Sequence, residues 1–234
     1  MDVYSPTYIQ KLFDNMASSY EKVNYCTSFG FSLRWRKQFL SHLTSRSTPV
    51  KVADIMTGMG ETWYYVKTKW QEAEIYGIDF SEGMLKHAYS RNKKQFKNQV
   101  KIYHHDVLLN NFPEGYFDVI TCAFGLKTLN ESQVKELARE THRLLKPGGQ
   151  FSFVEISVPE NYFLRLLYMF YMKRIIPFFG NVLLNSPAKY KMLGYFTQKY
   201  QNSQSALELF RMAGLTVTYQ SFFFGCATGF YGEK

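Results

Sequence analysis

The chain predicts an α/β fold built on a mostly parallel, doubly wound sheet. Three observations carry that expectation. From about residue 50 to residue 157, short apolar runs alternate with amphipathic ones, the order that places helices on both faces of a parallel sheet. The first run, "VADIM", leads into two glycines one residue apart, Gly58 and Gly60, where a strand should give way to a helix. Acidic residues then recur: Asp54 in the first strand, Asp79 at the end of the second and Asp106 after the third. Ligands of open α/β sheets bind beyond the carboxyl ends of the strands.

The elements follow in order. In "YIQKLFDNMASSYEKVN", Ile9, Leu12, Phe13 and Met16 recur at helical spacing. "SFGFSLRWRKQFLSHL" predicts a second helix after a glycine turn, with Leu33, Phe39, Leu40 and Leu43 on one apolar face. "VKVADIM" is the first strand, "ETWYYVKTKW" a helix and "AEIYGIDF" the second strand. "SEGMLKHAYSRNKK" is a helix with Ser81 as its N-cap. "VKIYHHDV" is the third strand, and "FDVITCAFGL" the fourth, after the turn "PEGY". "NESQVKELARETHRLL" is a helix with Asn130 or Ser132 near its cap, closed by "KPGG". "QFSFVEIS" is the fifth strand. After Pro159, "NYFLRLLYMFYMKRIIPFFGNVLL" predicts an amphipathic helix, interrupted by Arg165, Lys173 and Arg174 and broken at Pro177. "SALELFRMAGL" is a helix ended by Gly214, and "TVTYQSFFFGCATGFYGEK" supplies one or two last strands.

Composition narrows the function classes. Of 234 residues, 46% are hydrophobic and 20% charged, which supports a sizeable core and excludes wholesale disorder. Aromatics reach 18% and cluster after residue 160, pointing to an apolar pocket or partner surface there, or to a core rich in Phe and Tyr. The net charge of +9 favours anionic partners: nucleic acid, a membrane surface or acidic metabolites. The basic residues are scattered, however, and the cluster "RNKKQFK" suits a solvated helix face. Cys26, Cys122 and Cys226 form no CxxC and no metal-spaced set, so reduced thiols in a cytoplasmic compartment are expected, and no metal. The start lacks a secretory pattern, and no run of about 18 apolar residues spans a membrane.

The ligand is narrowed by exclusion. A dinucleotide fingerprint needs a third glycine where this chain has Trp63, and there is no Gly-Lys-Ser/Thr phosphate loop. Asp79 can accept hydrogen bonds from both hydroxyls of a ribose. Asp54 adds negative charge near the loop, which suits a cationic ligand better than a pyrophosphate. S-adenosylmethionine meets those terms: a ribose, an adenine, an ammonium and a sulfonium, with no phosphate.

"ADIMTGMGE", "YGIDFSEGML", "FDVITCAFGL" and "LKPGG" together resemble class I S-adenosylmethionine-dependent methyltransferases. With "LFDNMASSYEKVN", "SFGFSLRWR" and the terminal "AGL…GCATGFYGEK", the chain is similar to the ubiquinone/menaquinone biosynthesis C-methyltransferase family over nearly its whole length. The resemblance implies a Rossmann-like class I methyltransferase fold, with a seven-stranded sheet whose last strand is antiparallel. It implies four segments: 1–48 as an N-terminal helical lid, 49–160 as the cofactor-binding core, 161–200 as a substrate cap, and 201–234 completing the sheet. It implies that Gly58 and Gly60 pack against the methionine and ribose parts of the cofactor. Asp54 would help hold the ammonium through backbone or water, and Asp79 would take the ribose hydroxyls. Phe80 and Met84 would lie near the adenine, with Asp106 and Val107 at its edge. Thr57 and Phe124 complete the expected cofactor set.

Two positions depart from the family's pattern. Met59 stands where a threonine is usual, and Lys127–Thr128 stand where Arg-Asn commonly follows the fourth strand. Lys127, Tyr20 and Glu155 are the expected catalytic residues: Lys127 as a cation or base beside a phenol, Tyr20 over cofactor or substrate, and Glu155 at the end of the fifth strand. Tyr25 shares the expectation for Tyr20, and Ser157 lies beside Glu155. His104 and His105 should face opposite sides of their strand, in surface or core roles. The expected acceptor is a small aromatic molecule, first of all a prenylated quinol methylated on carbon. An O-, N- or C-methyltransferase of secondary metabolism is the alternative, and a non-catalytic binding module stands third. Peripheral contact at the inner membrane face and a homodimer accompany the quinol reading; nucleic acid does not.

Overall fold

The computed structural model describes residues 2–44, 48–178 and 187–234, with side chains at all of these except 18–24, 26 and 187–191. Seven strands form one sheet: β1 (Lys51–Ile55), β2 (Glu74–Asp79), β3 (Lys101–His104), β4 (Phe117–Ala123), β5 (Leu145–Ile156), β6 (Thr216–Phe222) and β7 (Ala227–Glu233). Their order is β3-β2-β1-β4-β5-β7-β6. Neighbours from β3 to β5 pair in parallel, while β7 runs antiparallel between β5 and β6. The terminal sequence thus supplies two strands, and the antiparallel one lies inside the sheet. The order reverses between β1 and β4, the position where an open sheet leaves a crevice at its carboxyl edge.

The helices are α1 (Pro6–Thr27), α2 (Phe31–Gln38), α3 (Trp63–Lys69), α4 (Glu82–Gln95), α5 (Glu131–Leu144), α6 (Tyr162–Phe170), α7 (Pro187–Tyr200) and α8 (Gln204–Met212). β1 and β4 are buried along almost their whole length, because helices cover both faces. The core on one face joins α5 and α8 to the sheet. On the other, α2, α3 and α4 bury Trp35, Trp63, Val66, Leu85 and Ala88. A smaller cluster, with Met16, Met59, Met84 and Met172, seats α1 over the carboxyl ends of the strands.

Local chemistry explains the helix ends, including those that differ from expectation. Ser81 caps α4, accepting from Met84 N at 3.2 Å. Asn130, rather than Ser132, caps α5 in a reciprocal box with Gln133. "LKPGG" is not the close of α5 but the irregular start of β5, with a register shift opposite Phe117 and Val119. Pro147 disfavours helical geometry in Lys146, so the helix stops first. α2 is shorter than its pattern suggested. Phe39, Leu40 and Leu43 are buried in the turns after it, whereas Leu33 is 41% exposed and Trp35 and Arg36 take the inner face. α6 runs on through a π-helical turn, Tyr171–Ile175, to Phe178. Pro177 therefore lies in the last described turn; its missing N–H and the clash of its ring with the preceding turn fit the widened spacing there. The "GNVLLN" part of the expected helix lies outside the described residues.

α1 is fastened to the core through Asp14. Its Oδ1 accepts from Ser81 Oγ at 2.6 Å and from Gly83 N at 2.8 Å, adding a second cap to α4. Gly83 makes room for this: a Cβ there would lie 2.8 Å from Asp14 Cα. Gln10 Nε2 donates to Phe80 O at 2.8 Å, beside the same junction. Asp14→Ala should therefore loosen α1 while the sheet persists, at a cost of about 1–2 kcal/mol. Hydrogen exchange should show faster opening over residues 6–27 and little change in β1 and β4; equal protection of α1 would remove the latch.

Candidate active site

The glycine loop is shaped from within. After β1 the chain passes through left-handed backbone at Met56 (φ 49°), Gly58 (φ 58°) and Gly60 (φ 77°). A Cβ on Gly60 would lie 2.5 Å from Trp63 Cε3, and one on Gly77 would lie 2.7 Å from Trp63 Cζ2. Trp63 is fully buried, and its Nε1 donates to Thr57 Oγ1 at 2.8 Å. Thr57 Oγ1 in turn donates to Asp54 Oδ2, whose other oxygen accepts from Thr121 Oγ1 at 2.9 Å. Gly60 is thus required by the indole.

Two small clefts, of about 50 and 30 Å³, lie beneath α1 and share Met56, Asp79, Phe80 and Thr128. The first is also lined by Thr57, Gly58, Met84 and Phe124, the second by Asp106 and Val107. Gly60 and Asp54 line neither. Asp79 is held by Gly58 N at 2.7 Å and Ser81 N at 2.9 Å. Burial nevertheless wins and pushes its carboxyl up to about 6, with those backbone bonds acting the other way. Burial pushes Asp54 further, to about 7, against the hydroxyls of Thr57 and Thr121. Asp54 therefore orients Thr57 from below the loop and does not reach the cleft.

The sequence reading missed Arg36 and Glu61, which line the first cleft and pair at 3.5 Å. Glu61 Oε2 also accepts from Met59 N at 3.2 Å. Arg36 is buried, its guanidinium lies 4.7 Å from the Phe124 ring centre, and its Nε has no hydrogen-bond partner among the described residues. A buried orphan donor calls for an acceptor. The signal was present: an arginine beside a tryptophan in a short basic helix, and an acid directly after "GMG". This donor set fits S-adenosylmethionine, with Arg36 and Glu61 matching an amino-acid zwitterion, Asp79 a ribose, and Phe80 and Val107 an adenine.

A second, apolar cavity of about 300 Å³ adjoins the first cleft at Phe124, which lines both. Phe31, Trp35, Tyr168 and Met172 form its walls, and Lys127 is the one charged residue lining it among the described residues. Lys127 Nζ donates to Glu155 Oε1 at 2.7 Å and to Phe124 O at 3.0 Å. Lys127 is 3% exposed and Glu155 0%. Glu155 also receives Lys127 N at 3.1 Å and Ile156 N at 2.7 Å. It stands behind the lysine and does not line the cavity, so its access to an acceptor runs through Lys127. Ser157 is tied to Thr228 at 2.6 Å. Tyr25 is exposed and lines neither cavity; the side chain of Tyr20 lies outside the described residues. His104 and His105 are exposed, with His104 Nε2 3.0 Å from Phe80 O.

The doubly wound sheet, with antiparallel β7 between β5 and β6 and a cleft at its switch point, together with the family model that matches the whole chain, defines a class I methyltransferase that takes its methyl group from S-adenosylmethionine. The ubiE/COQ5 methyltransferase family model matches residues 1–234, and the chain belongs to that family. It is 31% identical over 228 residues to the demethylmenaquinone methyltransferase of Geobacillus stearothermophilus, covering 97% of this chain and 96% of the relative. It is 30% identical to that of Thermus thermophilus, covering 95% and 100%. Among solved structures, a SAM-dependent methyltransferase from Thermotoga maritima superposes with a TM-score of 0.65 at 15% identity, over 96% of this chain and 98% of that one. A phosphoethanolamine N-methyltransferase from Haemonchus contortus, in complex with S-adenosyl-L-methionine, gives 0.62 at 14%, over 95% and 60%. These two share the fold.

Asp79→Ala should weaken S-adenosylmethionine binding in calorimetry by about 1.5–3 kcal/mol while the fold persists; an unchanged dissociation constant would take Asp79 out of the site. Gly60→Ala should destabilise the protein by roughly 1–3 kcal/mol through overpacking. Adding Trp63→Ala should then cost less than the sum of the two single changes, and simple additivity in urea denaturation would reject the wedge. Both aspartates bind protons more tightly when folded than at the ordinary carboxylate value near 4. Their contribution is therefore complete below about pH 4 and is lost as pH rises through 6 and 7. Asp54→Asn should flatten that fall in a urea series of the ligand-free protein.

Proposed function

We propose that this chain methylates a ring carbon of a prenylated quinol, acting from the inner face of a membrane. The observation that carries this reading is the buried ammonium of Lys127 in an apolar cavity that meets the cofactor cleft at Phe124. The relatives named demethylmenaquinone methyltransferase support the acceptor class.

When bound, S-adenosylmethionine would supply the methyl group for in-line displacement and keep the electron pair of its S–C bond. The chain's residues position, neutralise and exclude. Arg36 and Glu61 would hold the zwitterionic end and Asp79 the ribose, in the cleft that Phe124 also lines. Holding the acceptor in line is worth up to about 7–11 kcal/mol. As the phenolic proton leaves, charge grows on oxygen, and the ring carbon beside it becomes the nucleophile. Lys127 has three N–H donors, of which two are engaged by Glu155 and Phe124 O. The third is offered to that oxygen. Glu155 is a positioning residue: it keeps the lysine aimed. Return of the ring proton from the methylated carbon to the oxygen then restores the quinol, and the phenolic proton is the one released to solvent. α1 covers the cofactor and α6 the acceptor, and both cavities are formed within one chain.

Thr128 bears on the choice of acceptor. Its Oγ1 donates to Gly125 O at 2.7 Å, and the residue lines the cofactor clefts, not the apolar cavity. Of the two departures from the family's Arg-Asn pair, only Lys127 faces the acceptor.

Lys127→Met alone should destabilise the protein by about 3–5 kcal/mol, because it leaves Glu155 buried without its counter-charge. Combined with Glu155→Gln, the fold should recover. On a short-chain demethylquinol, the double variant should lose about 10²-fold or more in kcat with cofactor affinity unchanged. An unchanged kcat would remove Lys127 from the chemistry. Turnover of another phenol or amine from a small panel, with none of the demethylquinol, would overturn the acceptor.

A further inference from the structure

α6 is apolar along almost its whole length, yet none of its residues is buried. Its inner side, Leu164 and Tyr168, packs partly against the core. Phe163, Leu166, Leu167 and Phe170 stand at i, i+3, i+4 and i+7, so they form one stripe. Each remains 59–74% exposed. An apolar stripe left open to water marks a surface that something covers.

Two other segments of the chain reach the same place. Phe29 lies 5.9 Å, ring to ring, from Tyr171, and Phe223 lies 4.3 Å from Phe31. Phe29, Leu167 and Phe223 are all well exposed, and all three line the acceptor cavity. They mark its mouth. Phe223 and its neighbour Phe224 both hold left-handed backbone (φ 44° and 55°), a region that bulky residues rarely adopt. Phe224 is 79% exposed. The turn thus presents two aromatic rings beside the mouth of the cavity.

The charge pattern selects the occupant. The sequence has no acidic residue from 161 to 207, from 22 to 53, or from 209 to 232. Arg34, Lys37, Arg165, Lys173 and Arg174 are exposed on these segments, and Glu160 is the one acid at the foot of α6. A second copy of the chain would bring the same uncompensated positive charge to the contact. A bilayer with anionic headgroups complements it, and the apolar stripe suits the boundary between headgroups and acyl chains.

We propose that this face docks on an anionic lipid bilayer, with Phe163, Leu166, Phe170 and Phe224 inserted. The acceptor's tail then passes from the lipid into the cavity between Phe29, Leu167 and Phe223. The second step rests on the quinol reading; the docking surface does not.

The test is flotation of the full chain with vesicles of equal parts phosphatidylcholine and phosphatidylglycerol, at low and high salt. The comparison is a triple variant, Phe163→Ser, Leu166→Ser and Phe224→Asn, at exposed positions that do not line the acceptor cavity. The wild type should float with the vesicles, less so at high salt, and the variant should lose about tenfold or more of that binding. The variant should also turn over a long-tailed acceptor in vesicles more slowly, while its rate on a short-chain, water-soluble demethylquinol stays unchanged. Wild type remaining in the aqueous fraction, or a variant that floats equally well, would overturn the docking. So would light scattering that shows a dimer which the variant dissolves. Docking lost with short-chain turnover intact leaves the proposed activity standing. Docking intact without quinol turnover removes the activity and leaves the surface.

Discussion

A buried indole sets the geometry on which the rest of the site depends. Trp63 occupies the volume left by the missing side chains of Gly60 and Gly77, so it locks the loop after β1 against β2. Its N–H fixes Thr57, and Thr57 with Thr121 satisfies Asp54, a carboxylate with no route to water. A buried carboxylate costs several kcal/mol unless its oxygens are matched. The network therefore has one workable arrangement, and in it Gly58 N points at Asp79. Gly60 and Gly77 serve the packing of the indole.

Phe124 divides two chemically unlike compartments. Its left-handed backbone (φ 70°) lies at the end of β4, and Gly125 follows without a Cβ, which would lie 2.7 Å from Met56 Sδ. Strain of this kind costs of order 1–3 kcal/mol and persists where the surroundings over-determine it. On one side stands the Arg36–Glu61 pair, suited to a zwitterion. On the other stands an apolar cavity lined by the ammonium of Lys127. Methyl transfer between a charged donor and a greasy acceptor needs both environments within bond-forming distance, and a single ring separates them here.

Lys127 draws its character from burial. A lysine near water would offer a screened, mobile charge. Held between Glu155 and the Phe124 carbonyl, it is a fixed cation in a low-dielectric cavity, where the oxyanion of the proposed reaction would be stabilised far more than in solvent. The same arrangement makes the pair a liability to stability if broken, so the chemistry and the fold are tied at this position.

The sequence by itself determined the sheet, its strand–helix alternation, the cap at Ser81, the loop at Gly58 and the carboxylate at Asp79. Each of these is written in local periodicity or in residue types adjacent along the chain, and the combination of motifs was enough to suggest the family. Tertiary structure decided the rest. Gly60 faces Trp63 only because the α3 indole folds back over its own loop. Asp54 is sealed below the cleft because β4 brings Thr121 beside it from 67 residues away. Arg36 was legible only as one basic residue among many until α2 turned it inward, and Glu155 becomes a support for Lys127 only when β5 lies beside β4. The physical reason is common to all four. Burial and partner choice depend on contacts between residues distant in sequence, and in a low-dielectric interior those contacts, more than residue type, decide what a charge or a glycine does.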